Sequence, residues 1–146
     1  MAETRYEALK LENQLCFPLY ACAREVVKKY KPFLDDIGLT YTQYVTMLVL
    51  WEKPEITSKE IGERLHLDSG TLTPVIKKLA DKGLVTRRRA PEDERNLVVA
   101  LTDVGLALRD RAASIPGQMA GCVRLDPEDA RTLYRILYQL LEGVSC

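Results

Sequence analysis

A chain of 146 residues, 47% hydrophobic and 29% charged, has room for one packed domain with terminal extensions and is not the composition of a disordered protein. Its 21 basic residues balance its 21 acidic ones, which excludes nucleic-acid binding through overall positive charge but not through a local basic segment. The apolar stretch from Val45 to Trp51 is far too short to span a bilayer, and Met1–Arg5 lacks the apolar core of a secretory signal; a cytoplasmic protein with no membrane partner is expected.

In chain order, the apolar spacing predicts a helix from about Leu9 to Tyr30, broken at Lys31-Pro32. Asp35-Asp36-Ile37-Gly38 reads as a helix end, with Gly38 suited to the left-handed position. Thr42 to Trp51 reads as a buried helix, though its Val and Thr content leaves a strand open. Thr57-Ser58-Lys59-Glu60 has the form of a capping box, with Thr57 capping and Glu60 reaching back. Ile61 and Leu65 then share one face, and Asp68-Ser69 starts a second helix that runs from about Gly70 to Lys82 and stops at Gly83. Two helices around a tight connection form a helix-turn-helix.

In the second of these helices Leu72, Val75, Ile76 and Leu79 fall on one stripe. The opposite face carries Gly70, Thr73, Pro74 and Lys77, flanked by Ser69, Thr71 and Lys78, and has no acid until Asp81. From Lys77 to Arg95 seven basic residues stand against four acidic ones, so this segment can neutralise phosphates within a neutral protein. Leu84–Arg89 and Leu97–Leu101 read as paired strands joined by the polar turn 90–96, with Arg95 near its tip. A hairpin straight after a helix-turn-helix is a wing. Thr102-Asp103 caps a further helix, and a last one, from about Glu128 to Glu142, aligns Leu133, Leu137 and Leu141. The first and last helices are more apolar than a small wing domain needs. Either they build a dimer from the two chain ends or both ends pack within one monomer.

The four cysteines, Cys16, Cys22, Cys122 and Cys146, form no Cys-x-x-Cys pair, and the single histidine, His66, is distant in sequence. No zinc site or other metal or cofactor is expected; in a reducing cytosol these are free thiols, each packed or reactive.

Several blocks resemble the MarR family, and within it the organic-hydroperoxide regulators called OhrR. They are Leu11–Phe17 with its Cys16, Tyr30-Lys31-Pro32, Leu39–Tyr44, Leu67–Pro74, the wing signature Asp93-Glu94-Arg95, and Leu101–Gly105. The resemblance covers nearly the whole chain. It implies a mainly α fold with a small β wing, a winged helix-turn-helix dimerised through N- and C-terminal helices. Residues of about 42–102 would bind DNA, and about 5–38 and 103–146 would dimerise.

The resemblance further implies that the helix starting near Ser69 enters the major groove and the wing tip the neighbouring minor groove. The residue chemistry agrees. Ser69, Thr71 and Thr73 offer short hydroxyls, Gly70 and Pro74 keep the face low, Lys77 and Lys78 are cationic, and Arg95 suits a narrow minor groove. A salt bridge to Asp93 is the structural alternative for Arg95, and the Arg87-Arg88-Arg89 run sends only some side chains outward. A two-fold dimer would read an inverted-repeat operator in double-stranded DNA, with half-sites about one helical turn apart.

Cys16 resembles the peroxide-reactive cysteine of the group, and Tyr30 and Tyr41 fall where the group places two tyrosines around it. Their hydroxyls would donate to the thiolate, and Leu15 and Phe17 would offer an apolar surface to an organic hydroperoxide acting as inducer. Tyr20 and Tyr44 belong either to that pocket or to the core. Oxidation would first give a sulfenic acid. Cys22 is a poor partner for Cys16, because six helical residues rise about 9 Å and a disulfide needs Cα atoms within about 7 Å. Cys122 lies near where two-cysteine members of the group carry their resolving cysteine, which suggests a Cys16–Cys122 bond between subunits; a small cellular thiol capping Cys16 is the alternative. Cys22 reads as core and Cys146 as incidental. Pro18 either kinks a continuous helix or stands in the first turn of one that starts near Asn13 to Cys16. The expected function is that of a non-enzymatic redox repressor. The competing readings are a repressor released by a small aromatic ligand and a thiol peroxidase.

Overall fold

A computed structural model describes residues 5–144, apart from the side chains of residues 93–95. The first compact unit ends at Ile115. Two short 3-10 turns, Glu7–Leu9 and Leu11–Asn13, precede α1 (Cys16–Asp35). The helix therefore begins at Cys16 rather than near Leu9. Pro18 stands third in it, where its missing N–H has no intrahelical bond to lose, so no kink is needed. Nor does the helix break at Lys31-Pro32: it runs through Pro32 to Asp35. The lost bond falls in the last turns, and Leu34, 2% exposed, anchors that end in the core. Gly38 then reverses the chain at φ +70, with Leu39 N–H donating back to the Leu34 carbonyl at 3.0 Å.

Next comes α2 (Tyr41–Glu52), a helix and not a strand. Thr40 and Gln43 form a capping box at its start, a signal of the same kind as Thr57–Glu60. It buries Gln43, Tyr44, Thr46, Met47, Val49 and Leu50 and is the central helix of the core. A three-residue strand that the sequence did not announce, β1 (Glu55–Thr57), leads into α3 (Ser58–Leu65) and α4 (Ser69–Asp81). The wing, β2 (Val85–Ala90) and β3 (Asp93–Leu101), precedes α5 (Asp103–Ala112), which Thr102 caps.

The sheet is antiparallel in the order β1-β3-β2, with Ile56 opposite Val99 and Val85 opposite Leu101. The wing strands are longer than their apolar runs, so the expected seven-residue turn shrinks to Pro91-Glu92, with a register irregularity between Arg89 and Ala90. Met47, Leu50, Ile61, Leu79 and Val99 are wholly buried, so α2, the helix-turn-helix and the wing base share one core.

The second unit begins at Pro116. It holds the remainder of α6 (Ile115–Ala120) and α7 (Pro127–Gly143). Asp126 caps α7, accepting from the N–H groups of Glu128 at 2.8 Å and Asp129 at 3.1 Å. No residue of α7 is buried; Leu133, Tyr134, Ile136, Tyr138, Leu140 and Leu141 are all exposed. Among the described residues no helix is long and apolar enough to cross a membrane.

Candidate functional site

The turn between α3 and α4 is shaped by local chemistry. Glu60 accepts from the Thr57 N–H at 3.2 Å while Thr57 Oγ1 accepts from the Glu60 N–H at 3.2 Å, which fixes where α3 starts. Its end is set by His66, whose φ of 55 lies in the left-handed region. Gly62 allows the turn to close, because a Cβ there would stand 2.8 Å from the Leu67 carbonyl oxygen. Asp68 caps α4, accepting from the Thr71 N–H at 2.7 Å. Bonds from the Thr71 N–H, then its hydroxyl, and from the Gly70 N–H hold the Asp68 carboxyl below its ordinary range.

On α4, Leu72, Ile76 and Leu79 are buried while Ser69, Gly70, Thr71, Thr73, Pro74, Lys77 and Lys78 are all exposed on the outer side. The sequence-expected DNA face is therefore one continuous surface. Thr73 Oγ1 donates to the Ser69 carbonyl at 2.7 Å, leaving its lone pairs as acceptors. Pro74 has no N–H to give the Gly70 carbonyl, which therefore lacks its usual helical donor. Lys77 and Lys78 make no ion pair or hydrogen bond among the described residues, so both are available to phosphates. In the wing, Arg88 is occupied: its Nη2 donates to Glu55 at 2.7 Å. The Arg95 side chain lies outside the described residues; its backbone belongs to β3 and not to the turn.

Cys16 is the first residue of α1, and its thiol is exposed. Upstream, Asn13 Nδ2 donates to the Glu7 carbonyl at 2.8 Å, and Gln14 Nε2 to those of Ala8 at 2.6 Å and Lys10 at 2.9 Å. Tyr30, Tyr41 and Tyr44 form a ring cluster with centroids 4.9, 5.8 and 6.3 Å apart. Burial, and then the neighbouring Tyr30, push the Tyr41 and Tyr44 phenols up, so both stay protonated donors. Tyr44 is 3% exposed, which makes it core first. Tyr30 and Tyr41 are thus brought together, but not with Cys16 of the same chain: fourteen residues of continuous helix put Tyr30 about 21 Å away along the axis. Cys22, expected in the core, is exposed, because the first half of α1 buries nothing. Cys122 is also exposed, in the second unit just before α7. Cys146 lies outside the described residues. No group of three or more metal-ligating side chains occurs among the described residues.

Comparison with known proteins places this arrangement. The organic hydroperoxide resistance transcriptional regulator of Bacillus subtilis is 49% identical over 140 residues, covering 96% of this chain and 95% of that one. The chain belongs to the MarR family, in the group of organic-hydroperoxide regulators. Residues 28–111 of this MarR-family chain also match the family described as transcriptional regulator SarA/Rot. AbfR of Staphylococcus epidermidis is a further relative. Its reduced form bound to DNA is 34% identical, with a TM-score of 0.76 over 96% of this chain and 97% of that one. The overoxidised form, also bound to DNA, is 35% identical with a TM-score of 0.76 over 94% and 97%. A disulfide form is 33% identical, with a TM-score of 0.61 over 97% of each chain.

Further residues border the outer face of α4. A cleft of about 690 Å³ between the helix-turn-helix and the wing is lined by Lys59, His66 and Asn96 as well as by Ser69 and Thr73. Lys59 stands in the first turn of α3, two residues past the capping Thr57. No local sequence signal marks Asn96, which reaches the cleft as part of β3 and not of the wing turn.

Proposed function

We propose that this chain is a redox-sensing repressor, a homodimer that holds an inverted-repeat operator while Cys16 is reduced and releases it when an organic hydroperoxide oxidises that thiol. The carrying observation is the combination, in one chain, of an exposed thiol at the head of α1 with an acid-free reading face backed by Lys77 and Lys78, which are unpaired among the described residues. Ser69, Thr71, Thr73 and Pro74 meet the major groove and Arg95 the minor groove. Residues of about 42–102 form the DNA-binding part, and about 5–38 and 103–146 form the dimer. The exposed apolar face of α7 supports this division.

Because Tyr30 lies about 21 Å along α1 from Cys16, the tyrosines that donate to the sulfur come from the second subunit. The N-terminal end of α1 adds its own stabilisation of the thiolate. The thiolate attacks the terminal peroxide oxygen. The S–O bond forms as the O–O bond breaks, the alkoxide leaves and takes a proton as the alcohol, and Cys16 becomes a sulfenic acid. A second thiol then forms the S–S bond and water leaves. Cys122 of the partner subunit supplies that thiol, or a small cellular thiol does. AbfR supports a role for this second step, since its overoxidised form has been seen on DNA and a disulfide form also exists.

Gel shifts on the gene's own upstream DNA test the proposal. Wild type should release DNA on adding an organic hydroperoxide, and Cys16→Ser should not; release by Cys16→Ser would defeat it. Cys122→Ser reports whether the disulfide is needed. A second reading, release by a small aromatic ligand, has one observation in its favour. An apolar groove of about 550 Å³ runs along α1, lined by Tyr20, Val27, Leu34, Leu39 and Tyr41. Under that reading oxidant release is independent of Cys16.

A further inference from the structure

The corner between α1 and α2 carries Tyr41 on one side and is gripped on the other by two cations. Lys82 stands at the C-terminal end of α4, the reading helix. Its ammonium donates to the Gly38 carbonyl and, at 3.1 Å, to Gln43 Oε1. Gln43 is 3% exposed, and the same oxygen accepts from the Thr40 N–H at 3.1 Å in the capping box that starts α2. From α5, the Arg111 guanidinium donates to the Asp36 carbonyl. Both cations therefore sit on carbonyls just past the C-terminus of α1, where the helix dipole favours positive charge.

Lys82 is exposed and lies 39 residues from Gln43 in sequence. Left to itself, such a lysine keeps its rotamer freedom in water; holding it in the corner costs entropy, so the contact is a directed one. Around it Leu34, Ile37, Leu39 and Tyr44 are buried. A packed corner of this kind passes on a displacement instead of absorbing it.

We propose that Lys82 is a positioning residue that couples the corner bearing Tyr41 to the reading helix, with Arg111 anchoring the same corner to α5, so that loss of the tyrosine contacts on oxidation of Cys16 moves α4. The inference rests on the redox reading above. Coupling of this sort requires a contiguous physical link between two sites, and here the link is Tyr41, the capping box through Gln43, Lys82 and α4.

The test uses the full-length dimer, an upstream operator fragment and cumene hydroperoxide, with Lys82→Met, Arg111→Met and the double variant. Three quantities are read: operator affinity when reduced, operator affinity after oxidation, and the rate of thiol loss at Cys16. Reduced affinity and the rate of thiol loss should stay at wild-type values. The ratio of oxidised to reduced Kd should shrink by about fivefold or more in the double variant, within the usual range of allosteric coupling. Lys82→Arg should restore the ratio. A ratio equal to that of the wild type overturns the inference, as does a parallel loss of both affinities, which would make Lys82 a structural support only. Failure of the underlying reading looks different: wild type itself would then keep its operator after Cys16 is oxidised.

Discussion

Trp51 Nε1 donates to the Gly105 carbonyl at 2.9 Å, tying the central helix α2 to the start of α5 behind the wing. Packing α5 this close to the base of the wing is possible only because residue 105 has no side chain. A Cβ there would stand 2.1 Å from the Leu84 carbonyl oxygen and 2.9 Å from Leu101 Cδ1. The first obstacle is backbone at the base of the wing and cannot swing aside. Gly105→Ala should cost about 1–3 kcal/mol, the range for overpacking a filled site. Urea unfolding at fixed protein concentration should show a lower midpoint with unchanged slope. An unchanged midpoint would mean that the wing base is loosely packed.

Acid should act on the reading helix through its cap. The Asp68 carboxyl is held below its ordinary value of 3.8 by the Thr71 N–H, the Thr71 hydroxyl and the Gly70 N–H. A carboxylate whose pKa is lowered on folding adds stability that is present above its unfolded value and lost as pH falls through the folded one. Asp68→Asn keeps a capping oxygen but removes this titration. Wild type should therefore exceed the variant in Tm at pH 5 to 7, with the gap closing as pH falls below 3.8. Thermal melts across that range decide it, and a gap independent of pH would remove the charge from the account.

What could be read in advance follows a physical divide. The helix-turn-helix was legible because each boundary has a local cause: Thr57 with Glu60, Asp68 with Thr71, and Gly83 at positive φ. Features set by distant partners were not. Glu55-Ile56-Thr57 becomes a strand only because β3 pairs with it. Pro32 stays helical because Leu34 is buried beyond it, and the wing turn is short because cross-strand bonds extend both strands. For the site, the sequence pointed to Tyr30 and Tyr41, and these two rings do meet, with centroids 4.9 Å apart. The Cys16–Tyr30 pairing looks local until the unbroken helix between them is measured.

Salt dependence should separate the cations of the DNA face. Lys77 is exposed on the reading helix and has no partner among the described residues, whereas Arg88 is already paired with Glu55 at 2.7 Å. Neutralising a phosphate contact lowers the slope of log affinity against log salt by about 0.9. Lys77→Gln should flatten the slope by about that amount per subunit and weaken all sequences alike. Arg88→Gln should change it little. Fluorescence anisotropy at several salt concentrations measures both, and the reverse ranking would shift the phosphate contacts to the wing strand.

The subunit origin of the tyrosines can be settled with mixed dimers. One chain carries Cys16→Ser with its tyrosines intact; the other carries Tyr30→Phe and Tyr41→Phe with its thiol intact. If the site is built across the dimer, the remaining Cys16 faces the tyrosines of the Cys16→Ser chain, and the mixed species reacts with peroxide at the rate of one wild-type site. If it is built within one chain, that thiol has no phenolic donor and reacts as slowly as the homodimer of the double Tyr→Phe chain. The rise of about 21 Å along α1 between Cys16 and Tyr30 predicts the first outcome. The two cases differ because a donated hydrogen bond stabilises the thiolate and so sets the fraction of sulfur able to attack. Thiol loss measured against peroxide concentration in the purified mixed dimer distinguishes them without any DNA present.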